Sequence, residues 1–443
     1  MRGGAILPVI LAGLTPILLL AFLASGIGFG SVAWQPPILW TDTLGSITSR
    51  GDNGIIGVSS DSSGVYSAGY TNYSGIGYPG GTLLIAKYDS GGNDVWTHTI
   101  GNSSTYITGI SVGTDGIYLA GDNLTDSGFV EKFNFAGNRL WTVNSSIGGG
   151  TVATISGVSA TTSGVYIAGD PTIQEYDLNG NLVWTSQLFN VTSTTTGRIL
   201  SVYADTSGVY VTGYFSGNLT GQTQVGGGAF LAKYSLSSAL VWARELGTAY
   251  GQPYSISSDA AGVYVSGNTY LGPLTEFGWL QKYDFNGNLE WAVRIDSPDG
   301  SGMGDSSIFA DESGVYVSMG SVSSKEYLMK YGPEGGQMWS FQMQGRQKNI
   351  YGVGNAYRLS ATSGALYVAG SVVQNGNSEG FVSRVSTSPS LVMFGLNPPL
   401  SFIVLGGLIG GSVVSLVTFR RQRRKGIHPK RVGPSSSSLP TTD

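Results

Sequence analysis

No cysteine occurs anywhere in the chain. Disulfides, thiolate nucleophiles, cysteine-ligated zinc and iron–sulfur clusters are thereby excluded. Histidine is nearly as scarce. There are two, His98 and His428, and the second lies in a polar tail, so imidazole metal sites and histidine general bases are all but ruled out. Charge is thin as well, with Asp, Glu, Lys and Arg making only 11% of the 443 residues. It is also unevenly placed: residues 34–395 hold 15 basic and 26 acidic side chains, while residues 420–443 hold seven basic and one acidic. A body this acidic lacks the basic footprint that nucleic acid requires, so no nucleic-acid partner is expected. Large secreted animal domains commonly carry disulfides, so the missing thiols point to a prokaryotic surface, an archaeal one included.

The two ends read as membrane signals. Ala5 to Ala24 is almost wholly apolar and follows Arg2. With Ser31-Val32-Ala33 offering a cleavage site before Trp34, residues 1–33 read as a signal sequence. Ala24-Ser25-Gly26 is a second candidate site, and an uncleaved segment would instead be a first membrane anchor. Leu400 to Phe419 is uncharged and long enough for one span, and Arg420, Arg421, Arg423, Arg424 and Lys425 follow it at once. That basic cluster is a stop-transfer signal, which places the tail 420–443 in the cytoplasm against anionic lipid. Gly406 with Gly410, and Gly407 with Gly411, are spaced as in close-packed helix pairs and would support a homodimer through this span. Residues 391–399, with Asn397-Pro398-Pro399, form a linker, and the tail beyond Lys425 has nothing to bury and is expected to be disordered.

Between these ends glycine is abundant, at 69 residues, and one phrase recurs seven times. Its copies are GVYSAG at Gly64, GIYLAG at Gly116, GVYIAG at Gly164, GVYVTG at Gly208 and GVYVSG at Gly262, with GVYVSMG at Gly314 and GALYVAG at Gly364 looser. The tyrosines, Tyr66, Tyr118, Tyr166, Tyr210, Tyr264, Tyr316 and Tyr367, are on average close to 50 residues apart. That period suits a four-stranded propeller blade. Seven tryptophans, Trp40, Trp96, Trp141, Trp184, Trp242, Trp291 and Trp339, mark the fourth strands, but out of phase: Trp40 precedes the first phrase and none follows the last. A ring explains this, with Ile38–Leu44 completing the blade begun by residues 357–385 and leaving no open sheet edge. The expected fold is therefore an all-β, seven-bladed propeller over residues 34–390, its four-stranded antiparallel blades closed by the N-terminal strand, plus a C-terminal transmembrane helix.

The string GVYSAGYTNYSG…LLIAKYDSGGNDVWTHTIG resembles the SBBP-type β-propeller repeat of prokaryotic surface and secreted proteins, over about residues 38–386. For most members the resemblance implies an extracellular propeller and no defined reaction.

Several smaller patterns bear on function. Asp-x-Asn-Gly-Asn at Asp177 and Asp284, with relatives at Asp89 and Asn134, matches the opening of a calcium loop. The bidentate Glu that such a loop needs is missing, since Ile295 stands there after Asp284, so hairpin turns are expected. Lysine precedes the third-strand aromatic in five units, at Lys87, Lys132, Lys233, Lys282 and Lys330, with Glu175 and Ser383 in the others. A ring of cations could hold an anion. The expected role is packing on a neighbouring aromatic and pairing with a carboxylate of the adjacent blade. Sequons at Asn72, Asn102, Asn123, Asn144, Asn190 and Asn218 are candidate glycosylation sites. None lies beyond Asn218, which would leave blades five to seven bare for a partner.

No catalytic, cofactor-binding or metal-ligating residue stands out. The expected function is a membrane-anchored extracellular module for binding, adhesion or scaffolding, its partner a protein or a carbohydrate. The alternative is a propeller enzyme, quinoprotein-like, hydrolase or lyase, using Asp296, Asp299, Asp305, Asp311 and Glu312 on one face.

Overall fold

The computed structural model describes residues 36–43, 52–73, 82–101, 105–123, 127–147, 155–169, 171–188, 196–216, 228–247, 251–270, 276–343, 358–362, 364–374 and 377–387. The N-terminal apolar segment, the linker, the expected span 400–419 with its four glycines, and the basic cluster lie outside them. No helix among the described residues is long and apolar enough to cross a membrane.

The described residues form 28 strands in seven four-stranded antiparallel sheets. Blade 1 is β2 (Asp52–Asp61), β3 (Gly64–Tyr73), β4 (Thr82–Tyr88) and β5 (Asp94–Gly101). Blade 2 is β6 (Thr105–Val112), β7 (Ile117–Asn123), β8 (Ser127–Phe133) and β9 (Arg139–Ser145). Blade 3 is β10 (Ile155–Ala160), β11 (Val165–Gly169), β12 (Thr172–Tyr176) and β13 (Leu182–Gln187). Blade 4 is β14 (Thr196–Asp205), β15 (Gly208–Ser216), β16 (Gly228–Tyr234) and β17 (Leu240–Glu245). Blade 5 is β18 (Gly251–Asp259), β19 (Gly262–Tyr270), β20 (Glu276–Tyr283) and β21 (Leu289–Ile295). Blade 6 is β22 (Met303–Asp311), β23 (Gly314–Ser321), β24 (Glu326–Tyr331) and β25 (Gln337–Gln342). Blade 7 is β26 (Arg358–Thr362), β27 (Ala365–Gln374) and β28 (Asn377–Ser386), and its fourth strand is β1 (Ile38–Thr43) from the other end of the chain.

The expected closure is therefore present. β1 pairs with β28, Trp40 opposite Arg384 and Thr41 opposite Ser383. The first strands of successive blades touch in an unbroken circle, β26 returning to β2. Two kinds of side chain stitch neighbouring blades. Near the axis, the hydroxyls of Ser59, Ser111, Ser159 and Ser257 accept the backbone N–H of Val112, Ala160, Ala204 and Ala310 in the next blade, at 2.9–3.0 Å. These hydroxyls satisfy amides on inner strand edges that have no further strand to pair with. At the rim, the indole N–H of Trp40, Trp96, Trp141, Trp184, Trp242 and Trp291 donates to a turn carbonyl of the next blade, at 2.8–3.2 Å.

The last glycine of the phrase also has a physical reason. In blades 1 to 5 the first strand bulges opposite it, between Ile55 and Gly57 in blade 1 and between Pro253 and Ser255 in blade 5. The bulge brings backbone against the glycine: a Cβ on Gly69 or Gly267 would sit 2.1 or 2.2 Å from the carbonyl oxygen of Gly54 or Gln252. Blade 6 has Met319 in that place, opposite Ser306, and there the register shift falls earlier, between Met303 and Ser306.

The turns from third to fourth strand press on the previous blade's tryptophan. Gly287 has φ +81°, and a Cβ there would lie 2.9 Å from the Trp242 ring. In blade 4 the same turn position holds Ser238, at φ 74°. A left-handed L-residue costs about 1–2 kcal/mol, partly offset by glycine's larger entropy in the unfolded chain. Ser238→Gly should therefore raise the unfolding free energy by about 1 kcal/mol. Gly287→Ala should lower it by about 1–3 kcal/mol, both read from urea midpoints.

Candidate functional site

Antiparallel blades have two ends, which here differ in how far their polar groups repeat. One end, the turn face, carries the short turns between first and second strands and between third and fourth. The other, the loop face, carries the remaining connections.

On the turn face the polar side chains serve the fold. Asp284 Oδ1 accepts the amides of Asn286 and Asn288, and Oδ2 accepts the Asn288 side chain, at 2.8–2.9 Å. Asp89 and Asp177 repeat the pattern. Side-chain and backbone hydrogen bonds hold all three carboxyls below their ordinary range. These motifs are turns, as expected, with the carboxylate oxygens committed to the turn itself. Among the described residues no group of three His, Asp or Glu side chains is placed to hold a metal ion.

The lysine series is also structural, with two corrections. Across each blade the register aligns a tyrosine, a third-strand residue and a tryptophan: Tyr66, Lys87, Trp96 in blade 1, and Tyr316, Lys330, Trp339 in blade 6. In blade 7 the aligned trio is Tyr367, Arg384 and Trp40. Arg384, not Ser383, is thus the equivalent residue, and six blades of seven carry a cation. The repeat spacing hides it because Val385 replaces the aromatic that follows the lysine elsewhere. The second correction concerns the carboxylate partners, which lie in the same blade: Lys132 pairs with Asp115 at 2.5 Å and Lys282 with Glu290 at 2.9 Å, while Lys132 also donates to the Leu178 carbonyl of blade 3 at 3.0 Å. The five lysines sit 4.2–5.7 Å from their tyrosine ring centroids. Cation–π attraction of about 2 kcal/mol does not offset the several kcal/mol for burying an ammonium, so close anionic or hydroxyl acceptors are needed too. Lys330 finds the Ser313 and Tyr316 hydroxyls at 2.5 and 2.7 Å.

Glu175 then explains itself. The buried tyrosine hydroxyls of blades 1, 2 and 5 donate to a carboxylate in their own first turn, Asp61, Asp115 or Asp259. Blade 3 has Thr161 where blade 1 has Asp61, and Tyr166 donates instead to Glu175 at 3.0 Å. The carboxylate has moved from turn to strand. Burial raises the Glu175 carboxyl, with hydrogen bonds from Tyr166 and Trp184 opposing, and burial beside that carboxylate pushes the Tyr166 phenol up to about 12.

The loop face departs from repetition in blades 5 to 7. Ile55, Ile107, Ile155 and Ile199 occupy equivalent buried positions in blades 1 to 4; blade 5 has Pro253 and blade 6 has Ser306, next to Asp305. Arg358 opens β26 and donates from Nε to the Ile56 carbonyl at 3.1 Å. Burial lowers its guanidinium, with Asp305 and Glu326 opposing. Tyr254 donates to Gln252 at 2.9 Å, and burial followed by the Asp305 charge raises its phenol. Arg294 lies 4.1 Å over the Phe277 ring and pairs with exposed Asp296 at 2.6 Å. Asp299 fastens the connection between blades 5 and 6: it pairs with Lys325 at 2.8 Å and accepts Ser297, Ser301 and Ser323 hydroxyls at 2.5–2.7 Å. Those contacts, the lysine's first, hold its carboxyl well below the ordinary range.

The five carboxylates proposed for chemistry are thus not one group. Asp296, Asp299 and Asp305 lie on the loop face, while Asp311 and Glu312 lie in a turn on the opposite face. Asp311 is engaged by the Ser313 amide and hydroxyl. Asp299, held ionised, is unsuited to donate a proton near neutrality. Of the sequons, Asn144 is exposed near the end of β9 and Asn123 is half-buried at the end of β7. The Asn72 side chain and all of Asn102, Asn190 and Asn218 lie outside what is described.

No family model and no curated protein matches the chain. Solved structures match in fold. U3-55K is 12% identical with a TM-score of 0.50, over 80% of this chain and 100% of that one. The RRP9 WD40 repeats are 11% identical with a TM-score of 0.50, over 80% and 99%. At such identities the likeness is one of architecture alone, and the class defined is that of β-propellers.

Glu175 also gives the site a pH signature. A carboxyl raised in the folded state contributes stability below the unfolded value of 4.5, lost as pH rises through the folded value. The urea midpoint should thus fall less between pH 4.5 and pH 7 in Glu175→Gln than in the parent chain. Glu175→Lys alone should cost about 3 kcal/mol by stranding a buried charge. Adding Thr161→Asp should recover at least half, a coupling that a double-mutant cycle measures.

Proposed function

We propose that this chain is a membrane-anchored extracellular binding, adhesion or scaffold module, of the SBBP-repeat kind, whose partner contacts lie on the loop face of blades 5 to 7. The observation that carries the reading is where repetition stops. In a repeat protein the recurring positions serve the shared frame, as the serine and tryptophan stitches do. Singular polar groups on a rigid frame can serve recognition, and here they fall in blades 5 to 7: Arg294 on Phe277, Asp296, Asp305 and Arg358. The apolar run 400–419 and the basic cluster Arg420–Lys425 support anchoring with the tail inside.

Full-length protein in detergent micelles should bind a definable set of saccharides on a glycan array, or bind saturably to intact cells of the source population. Arg294→Ala with Asp296→Ala should weaken that binding about tenfold, and the rim change Leu289→Ala should leave it unaltered. A blank array together with no saturable cell binding contradicts the reading.

A further inference from the structure

The two faces differ in their asparagines. Seven, Asn93, Asn134, Asn138, Asn179, Asn181, Asn286 and Asn288, belong to turn-face turns between third and fourth strands, and none is followed by x-Ser/Thr. Several are tied down, Asn93, Asn181 and Asn288 each donating to the aspartate of its turn at 2.8–2.9 Å. Both described sequon side chains lie at the opposite end of one blade: Asn123 ends β7, and Asn144 pairs with Phe129 near the end of β9. The described ends of the chain, Pro36 and Thr387, leave from the turn face, where Ser386 donates to the Pro37 carbonyl at 3.0 Å.

We propose that the loop-face end of blade 2 is a modification site, Asn123 and Asn144 taking N-linked oligosaccharide on the face opposite the one that Pro36 and Thr387 leave from. The inference rests on the extracellular reading above. The donor class is an oligosaccharide on a lipid phosphate or pyrophosphate carrier, transferred by a membrane oligosaccharyltransferase. Asn Nδ2 forms a bond to the anomeric carbon, the bond from that carbon to the carrier oxygen breaks, the phosphate leaves with the electron pair, and the amide gives up one proton.

Asn144 is exposed, but the two residues after it are held by blade 3: Ser145 donates to Gln174 Oε1 at 2.8 Å, and Gln174 Nε2 donates to the Ser146 hydroxyl at 3.1 Å. The hydroxyl that the transferase must read is engaged once blades 2 and 3 meet. On the unfolded chain that hydroxyl has no such partner, and Asn144 stays exposed in the finished fold, which leaves the sugar room.

The test is peptide mass spectrometry on full-length protein from its source membranes, beside protease treatment of intact and lysed cells. Glycan mass on the peptides holding Asn123 and Asn144, and one mobility step lost in each of Asn123→Gln and Asn144→Gln, support the site. Unmodified peptides from a propeller that protease cleaves on intact cells overturn the site alone. Unmodified peptides from a propeller cleaved only after lysis overturn the extracellular reading and the site with it.

Discussion

The pairing of β1 with β28 is the contact on which the rest depends. It joins residues 342 positions apart, as the 2.7 Å hydrogen bond between the Thr41 and Ser383 hydroxyls shows. Closing a loop of that length costs about 5 kcal/mol in chain entropy by the length-dependent part alone. No single contact offsets that, at about 1 kcal/mol for a net hydrogen bond or an aromatic pair. The strand answers with several together. Trp40 lies 6.0 Å from the Tyr367 ring and 6.4 Å from Tyr88 in blade 1, and both its indole and Arg384 reach the Ser90 carbonyl. One short strand thus completes blade 7 and fastens it to blade 1, so no blade is left with an unpartnered side.

Given a closed ring, the two faces can divide their work. The turn face repeats, and its aspartates, lysines and tyrosines bond within each blade, with Lys132 and Asp205 also reaching a neighbouring blade. Blade 3 shows that the requirement is chemical rather than positional. A buried tyrosine hydroxyl needs an acceptor, and Glu175 supplies it where the turn holds Thr161. The loop face is released from repetition where Met319 replaces a glycine and the inner-strand bulge shifts toward the strand start, between Met303 and Ser306. There Ser306 stands where isoleucines fill the first four blades, and Asp305 lies beside it.

Much of this was legible in the sequence. The spacing of the tyrosines gave blade number, the tryptophans being one strand out of phase gave the closure, and both hold because each residue type has one place in a blade. The calcium-like motifs read as turns for the same reason. What the sequence hid depended on register between distant strands. Arg384 was invisible as the sixth cation because its neighbour Val385 is not aromatic, and the carboxylates that pair with Lys132 and Lys282 could not be assigned to their own blades without the strand pairing. The separation of Asp311 and Glu312 from Asp296, Asp299 and Asp305 was likewise hidden, since a strand and a half-turn between near neighbours put them on opposite faces. Chemistry on the loop face has no repeating signature, which is why its sector emerged only once the equivalent positions could be laid side by side.

Because the chain has no native cysteine, its closure can be tested by a single introduced pair. Thr41→Cys with Ser383→Cys places two thiols on directly opposed residues whose present hydroxyls touch. Under mild oxidation the ring predicts one intramolecular disulfide, seen as faster migration on a non-reducing gel and as a peptide joining positions 41 and 383. Free thiols throughout, or a disulfide formed only between separate chains, would show that the first strand does not close the last blade.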